Sequence, residues 1–94
     1  MNPLRAEFDA IIAEYRATLP QKVTRLEQLL EAGSIAELRR ELHTLAGSAG
    51  TFGLPQVGAA ARAAENFLDP GLDDSRRGEL ERLLGTLRHE ACKP

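Results

Sequence analysis

His43 stands in the run Leu42-His43-Thr44-Leu45-Ala46-Gly47-Ser48-Ala49-Gly50-Thr51-Phe52-Gly53, an imidazole among unusually small neighbours. A large fraction of an ordinary imidazole is uncharged near neutral pH, so it can act as a nucleophile or exchange a proton. Its orientation follows from helical geometry. At 100° per residue with His43 at zero, Leu38, Leu42, Leu45, Ala49 and Phe52 fall between about 180° and 260°. Ala36, Arg39, Arg40, Ala46, Gly47 and Gly50 lie within about 60° of the ring, which predicts an exposed imidazole on a face with little side chain to cover it. Another protein can reach it there. Glycine inside a helix costs about 1 kcal/mol against alanine, so Gly47 and Gly50 point to a function that needs the clearing. The competing readings are a closely packed neighbouring helix, or a helix that frays towards Gly53. His89, between Arg88 and Glu90, has no such clearing and reads as a solvated surface group.

The elements that must position His43 are helical. From Pro3, the positions Leu4, Phe8, Ile11, Ile12, Tyr15 and Leu19 recur at three and four, which predicts a helix over roughly 3–18. Pro20 is expected to break or kink it, although Val23, Leu26, Leu29 and Leu30 resume the period up to Gly33, a C-cap candidate. The two pieces can therefore form one long kinked helix. Ser34 with Glu37 three residues on has the form of a capping box, opening the histidine helix at roughly 35–50. Pro55 starts a third helix to about residue 68, and its run of alanines implies close helix approach. Asp69-Pro70-Gly71 marks a turn, after which Asp73 or Asp74 caps a last helix over roughly 73–91. Short connections favour an all-α antiparallel four-helix bundle, up-down-up-down, with an N-terminal helical extension that packs across one end.

Composition narrows the class. Ninety-four residues with 43% hydrophobic content suit one domain over 1–94 with one core, rich in leucine and alanine and carrying four aromatic residues. A net charge of −2 offers no basic field for nucleic acid, and no run is long enough for a membrane span. Cys92 has no partner for an internal disulfide and the N-terminus lacks an apolar signal region, so a reducing cytoplasm is expected. Met1 leans towards a free-standing protein. There is no phosphate-binding glycine loop and no clustered set of metal ligands.

The segment His43-Thr44-Leu45-Ala46-Gly47-Ser48-Ala49, closing at Gly53, resembles the signature of histidine-containing phosphotransfer (HPt) domains, His-x-x-Lys-Gly-Ser/Ala-Ser/Ala followed by Gly. It departs at one position, where Ala46 stands in place of the usual lysine. The resemblance covers nearly the whole chain and implies a bundle whose histidine carries a phosphoryl group. His43 would take that group from a receiver-domain aspartate and pass it to another receiver, in a response regulator or a hybrid histidine kinase. Such a carrier has no kinase activity and no cofactor of its own, because the partner receiver supplies Mg²⁺. A monomer is expected. With lysine absent at Ala46, Arg39, Arg40 and Arg62 are the candidates to offset phosphoryl charge, while Ala46, Gly47 and Gly50 form the docking clearing. If the third helix folds back around Gly53, residues near 62–65 come level with His43. Members of the family often place a glutamine or glutamate there, and Glu65 occupies that position. A carboxylate accepting from Nδ1–H would fix the tautomer that leaves Nε2 nucleophilic.

Two other functions fit the fold. One is a helical interaction module that is never phosphorylated, a reading the retained His43, Gly47 and Gly53 argue against. The other is the dimerisation helix of an autokinase, for which the chain lacks both an ATP-binding half and the charged, proline-bearing box after the histidine.

Overall fold

The computed structural model describes residues 3–68 and 72–93, with four helices: α1 Pro3–Glu31, α2 Ile35–Thr51, α3 Pro55–Phe67 and α4 Asp74–Ala91. No strand occurs among the described residues. The Asp69-Pro70-Gly71 turn lies outside them. Each helix packs along two others, in the ring order α1, α2, α3, α4, and the diagonal pairs face each other across the shared core. Neighbours run antiparallel. Tyr15 reaches Ser48 while Arg25 reaches Glu41, His43 pairs with Glu65 while Arg39 pairs with Leu68, and Arg16 meets Lys93 while Glu27 meets Arg88. This is the up-down-up-down bundle that the helical periodicity predicts.

Burial of one stripe from each helix makes the core. Leu19, Val23 and Leu26 of α1 close on Leu38, Leu42 and Ala49 of α2, Val57, Ala61 and Ala64 of α3, and Leu80, Leu84 and Leu87 of α4, all at 2% exposure or less. That burial explains why α1 runs unbroken through Pro20. A proline in a helix interior costs about 3 kcal/mol, whereas burying a single Leu or Val side chain contributes roughly 1.5–3 kcal/mol. The core residues on either side of exposed Pro20 outweigh it.

The start of α1 departs from expectation. It does not fold across the end of the bundle but continues beyond it, leaving Leu4, Phe8 and Ile11 exposed and the molecule 53 × 19 × 18 Å in extent. At 1.5 Å per residue, α1 is simply too long for its partners.

Two glycines set the turns. Gly33 (φ 74°) and Gly53 (φ 72°) adopt the left-handed conformation that ends α1 and α2. In each turn the glycine N–H bonds the carbonyl three residues back, Leu30 or Gly50, and the following N–H bonds the carbonyl five back, Leu29 or Ala49. Ser34 is the residue after Gly33 in this motif, so the expected capping box does not form. Its N–H is already given to Leu29 at 2.9 Å, its side chain makes no capping bond, and the carboxylate of Glu37 lies 3.6 Å from Arg25 and Arg40 instead. Asp73 does cap α4, accepting from the backbone N–H of Arg76 and the hydroxyl of Ser75, and these bonds hold its carboxyl below the ordinary value of 3.8.

Helices α2 and α3 approach closely at Gly58, where an added Cβ would lie 3.4 Å from the carbonyl oxygen of Ala46 and 3.7 Å from the Cβ of Ala49. The alanine run of α3 helps, but this glycine sets the separation. Gly58→Leu is therefore expected to destabilise the bundle by roughly 1–3 kcal/mol through overpacking. Gly47→Ala, on a helix face with open space, is expected to stabilise it by up to about 1 kcal/mol. Urea unfolding of the two variants tests both, and equal effects of one sign would contradict the packing described.

Candidate functional site

The site is built on the seam between α2 and α3. Leu38, Leu42, Leu45 and Ala49 turn one face of α2 into the core, and His43 projects from the other with its side chain 73% exposed. Its Nδ1 lies 2.8 Å from Oε2 of Glu65, a carboxylate only 18% exposed near the end of α3. An ionised carboxylate can only accept, so the proton of this bond sits on Nδ1 and the lone pair of the ring on Nε2. No described residue hydrogen-bonds Nε2. The ring is thus held by one nitrogen and open at the other, the arrangement that attack on an external electrophile requires.

The face beside His43 is clear, as the small residues lead one to expect. Beyond the backbone of α2 itself, no described atom lies within 4 Å of where a Cβ would stand on Gly47 or Gly50. Neither glycine is needed for helix packing, and both lie within α2, so fraying does not account for them either. Ala46 is different. Expected on the open face, it is 4% exposed, because α3 lies over that flank of α2 and approaches it through Gly58. A bundle helix with neighbours on two sides buries a wider arc than its leucine stripe alone marks out. A longer side chain at 46 would have to leave this seam before its charge met solvent.

The three arginines separate. Arg39 turns towards the end of α3 and donates to the carbonyl of Leu68 at 2.7 Å, so this guanidinium is engaged in helix contact. Arg40 stays in solvent, its side chain 74% exposed and 3.6 Å from Glu37. Along with Thr44, it lines an open groove of about 400 Å³ between α1 and α2, floored by Leu26 and Leu45 and edged by Lys22 and Arg25. Arg62, one turn before Glu65, is exposed and pairs with no described residue. Exposed positive charge thus lies on both helices of the seam, that of Arg40 beside Glu37. His89 and Cys92 are exposed.

A family model for the Hpt domain matches residues 10–91. The chain belongs to the Hpt domain family. Members of that family are carriers rather than kinases, and interact with receiver domains in His–Asp phosphorelays. No curated protein and no solved structure matches the chain. Among the described residues, no helix is long and apolar enough to cross a membrane.

Several parts of this Hpt site carry no local sequence signal. Tyr15 of α1 hydrogen-bonds Ser48 at 2.6 Å and stacks on Phe52 with ring centroids 4.3 Å apart, steadying the C-terminal end of α2. Arg76 donates to the carbonyl of Phe67 at 2.7 Å while its guanidinium lies over that residue's ring. These contacts join residues far apart in sequence, and nothing in their local spacing announces them.

The geometry makes a spectroscopic prediction. Long-range ¹H–¹⁵N spectra of the neutral protein should show His43 as the Nδ1–H tautomer, with the Nε2–H form growing in Glu65→Gln because the amide no longer favours a proton on Nδ1. The same tautomer ratio in both proteins would mean that Glu65 does not set the ring's protonation.

Proposed function

We propose that this protein is the phosphotransfer intermediate of a multistep His–Asp phosphorelay, carrying the phosphoryl group on Nε2 of His43 between receiver domains. The observation behind it is the 2.8 Å contact of Nδ1 with Glu65 on a ring that is otherwise open. In the accepting step, the Nε2 lone pair attacks the phosphorus of a receiver's aspartyl phosphate and a P–N bond forms. The P–O bond to aspartate breaks, and the carboxylate leaves with its electron pair. The proton on Nδ1 stays hydrogen-bonded to Glu65, which offsets the positive charge that the ring acquires. Donation to a second receiver reverses these bond changes.

On this reading residues 1–94 act as one cytoplasmic, monomeric carrier without kinase activity, a cofactor or a metal of its own. The receiver supplies Mg²⁺ and most of the charge stabilisation. Gly47 and Gly50 make room for the receiver's active-site loops, and Arg40 and Arg62 contribute positive field from either side. Because both arginines are exposed, each contributes at most about 1 kcal/mol, which is several-fold in rate and weakens as salt rises.

The retained histidine, the buffering Glu65 and the open glycines disfavour an unphosphorylated interaction module. Transfer of label from a phosphorylated receiver decides between the two. His43→Gln is expected to accept no label while its melting stays close to that of the parent, since the side chain is exposed, and His89→Gln is expected to accept normally. Gly47→Leu should remain folded and transfer slowly, because its side chain fills docking space without touching the core. Label on His43→Gln, or unimpaired transfer by folded Gly47→Leu, would contradict the proposal.

A further inference from the structure

Two contacts cross from α2 to α3 one helical turn apart. His43 reaches Glu65 at 2.8 Å, and Arg39, four residues earlier on α2, donates to the carbonyl of Leu68, three residues later in sequence, at 2.7 Å. Residues at these spacings sit one above the other on a helix, so the contacts form successive rungs. The next carbonyl inward, that of Phe67, accepts from Arg76 at 2.7 Å, and the Arg76 guanidinium carbon lies 4.1 Å from the centroid of the Phe67 ring. Two cations from two different helices thus hold the last carbonyl of α3 and that of Leu68, the residue that caps it. These groups have no acceptor role within the helix and carry its negative dipole end.

We propose that Arg39, backed by Arg76, is a positioning residue that holds the Glu65 carboxylate against His43 Nδ1 by fixing the end of α3 on α2. Glu65 lies in the last turn of α3, where a helix end is most free to fray or rotate. Farther back along α3, Gly58 sets the separation from α2 but leaves rotation and register at the far end to be fixed. Arg39 and Arg76 fix it at Leu68 and Phe67, within three residues of the carboxylate. The guanidinium of Arg39 therefore acts on the ring through Glu65 rather than through the phosphoryl group. This assignment rests on the phosphocarrier reading for its purpose, but its geometry is testable with no phosphoryl donor present.

The test is the His43 tautomer ratio, read by ¹⁵N spectra of the neutral ring in Arg39→Met, Glu65→Gln and the double variant. Arg39→Met keeps the side-chain stem and removes the donors. Its ratio is expected to shift towards that of Glu65→Gln, and adding Arg39→Met to Glu65→Gln should shift it no further, since both changes act through one carboxylate. Arg39→Lys retains a donor for the Leu68 carbonyl and should restore most of the parental ratio. Arg76→Met should move it in the same direction as Arg39→Met. Far-UV circular dichroism establishes that each variant is folded. Should Arg39→Met fail to fold, Arg39→Gln, whose shorter amide falls short of Leu68, makes the same comparison. A folded Arg39 variant with the parental ratio, or additive shifts in the double variant, would overturn the assignment. Transfer assays separate this result from the phosphocarrier reading: a protein that never accepts label but shows the predicted tautomer shifts keeps the positioning role and loses the relay.

Discussion

The contact between His43 and Glu65 exists only in one register of α2 on α3, and most of the fold can be understood as what secures that register. Hydrophobic burial brings the helices together without choosing a register, because it is non-directional and roughly proportional to area. Selection comes from a few directional features. Gly53 turns the chain back on itself in a left-handed conformation, Gly58 admits the Ala46 carbonyl and the Ala49 side chain, and Arg39 ties the end of α3 to α2. Helices α1 and α4 complete the wall behind them. Arg88 joins these two by a two-pronged ion pair with Glu27, which also raises its own proton affinity.

Glycine serves two opposite ends in this seam. At Gly58 the missing Cβ lets two backbones approach, and the gain in packing offsets the poor helix propensity. At Gly47 and Gly50 a Cβ would meet nothing, so stability alone would favour alanine by up to about 1 kcal/mol at each. On the proposed phosphocarrier reading, these two glycines leave room for a receiver to come close to His43.

How much of this is legible in the sequence depends on the range of the interaction. The helix starts at Pro3 and Pro55, the turns at Gly33 and Gly53 and the Asp73 cap are local, and short windows reveal them. The outward direction of His43 follows from periodicity, and the placement of Glu65 beside it follows from antiparallel folding around Gly53. Features set by competition or by distant partners are not legible. Ser34 has the residue type for an N-cap, but the end of α1 claims its backbone N–H first. Ala46 lies near His43 on a helical wheel, yet its burial depends on where α3 lies. Arg39 sits on the histidine side of α2 and points to a carbonyl 29 residues away, which spacing alone cannot show. Pro20 is the converse case, a strong local signal overridden by the core on either side.

On the proposed reading Nε2 of His43 is the reactive nitrogen and Nδ1 a held donor. The most direct test is the position of the phosphoryl group on the ring, read by ³¹P–¹⁵N coupling in protein labelled at its histidines and charged by a phosphorylated receiver. The expected result is a single phosphorus signal coupled to Nε2 of His43, with Nδ1 still protonated. Phosphorus bonded to Nδ1, or carried on His89, would contradict it.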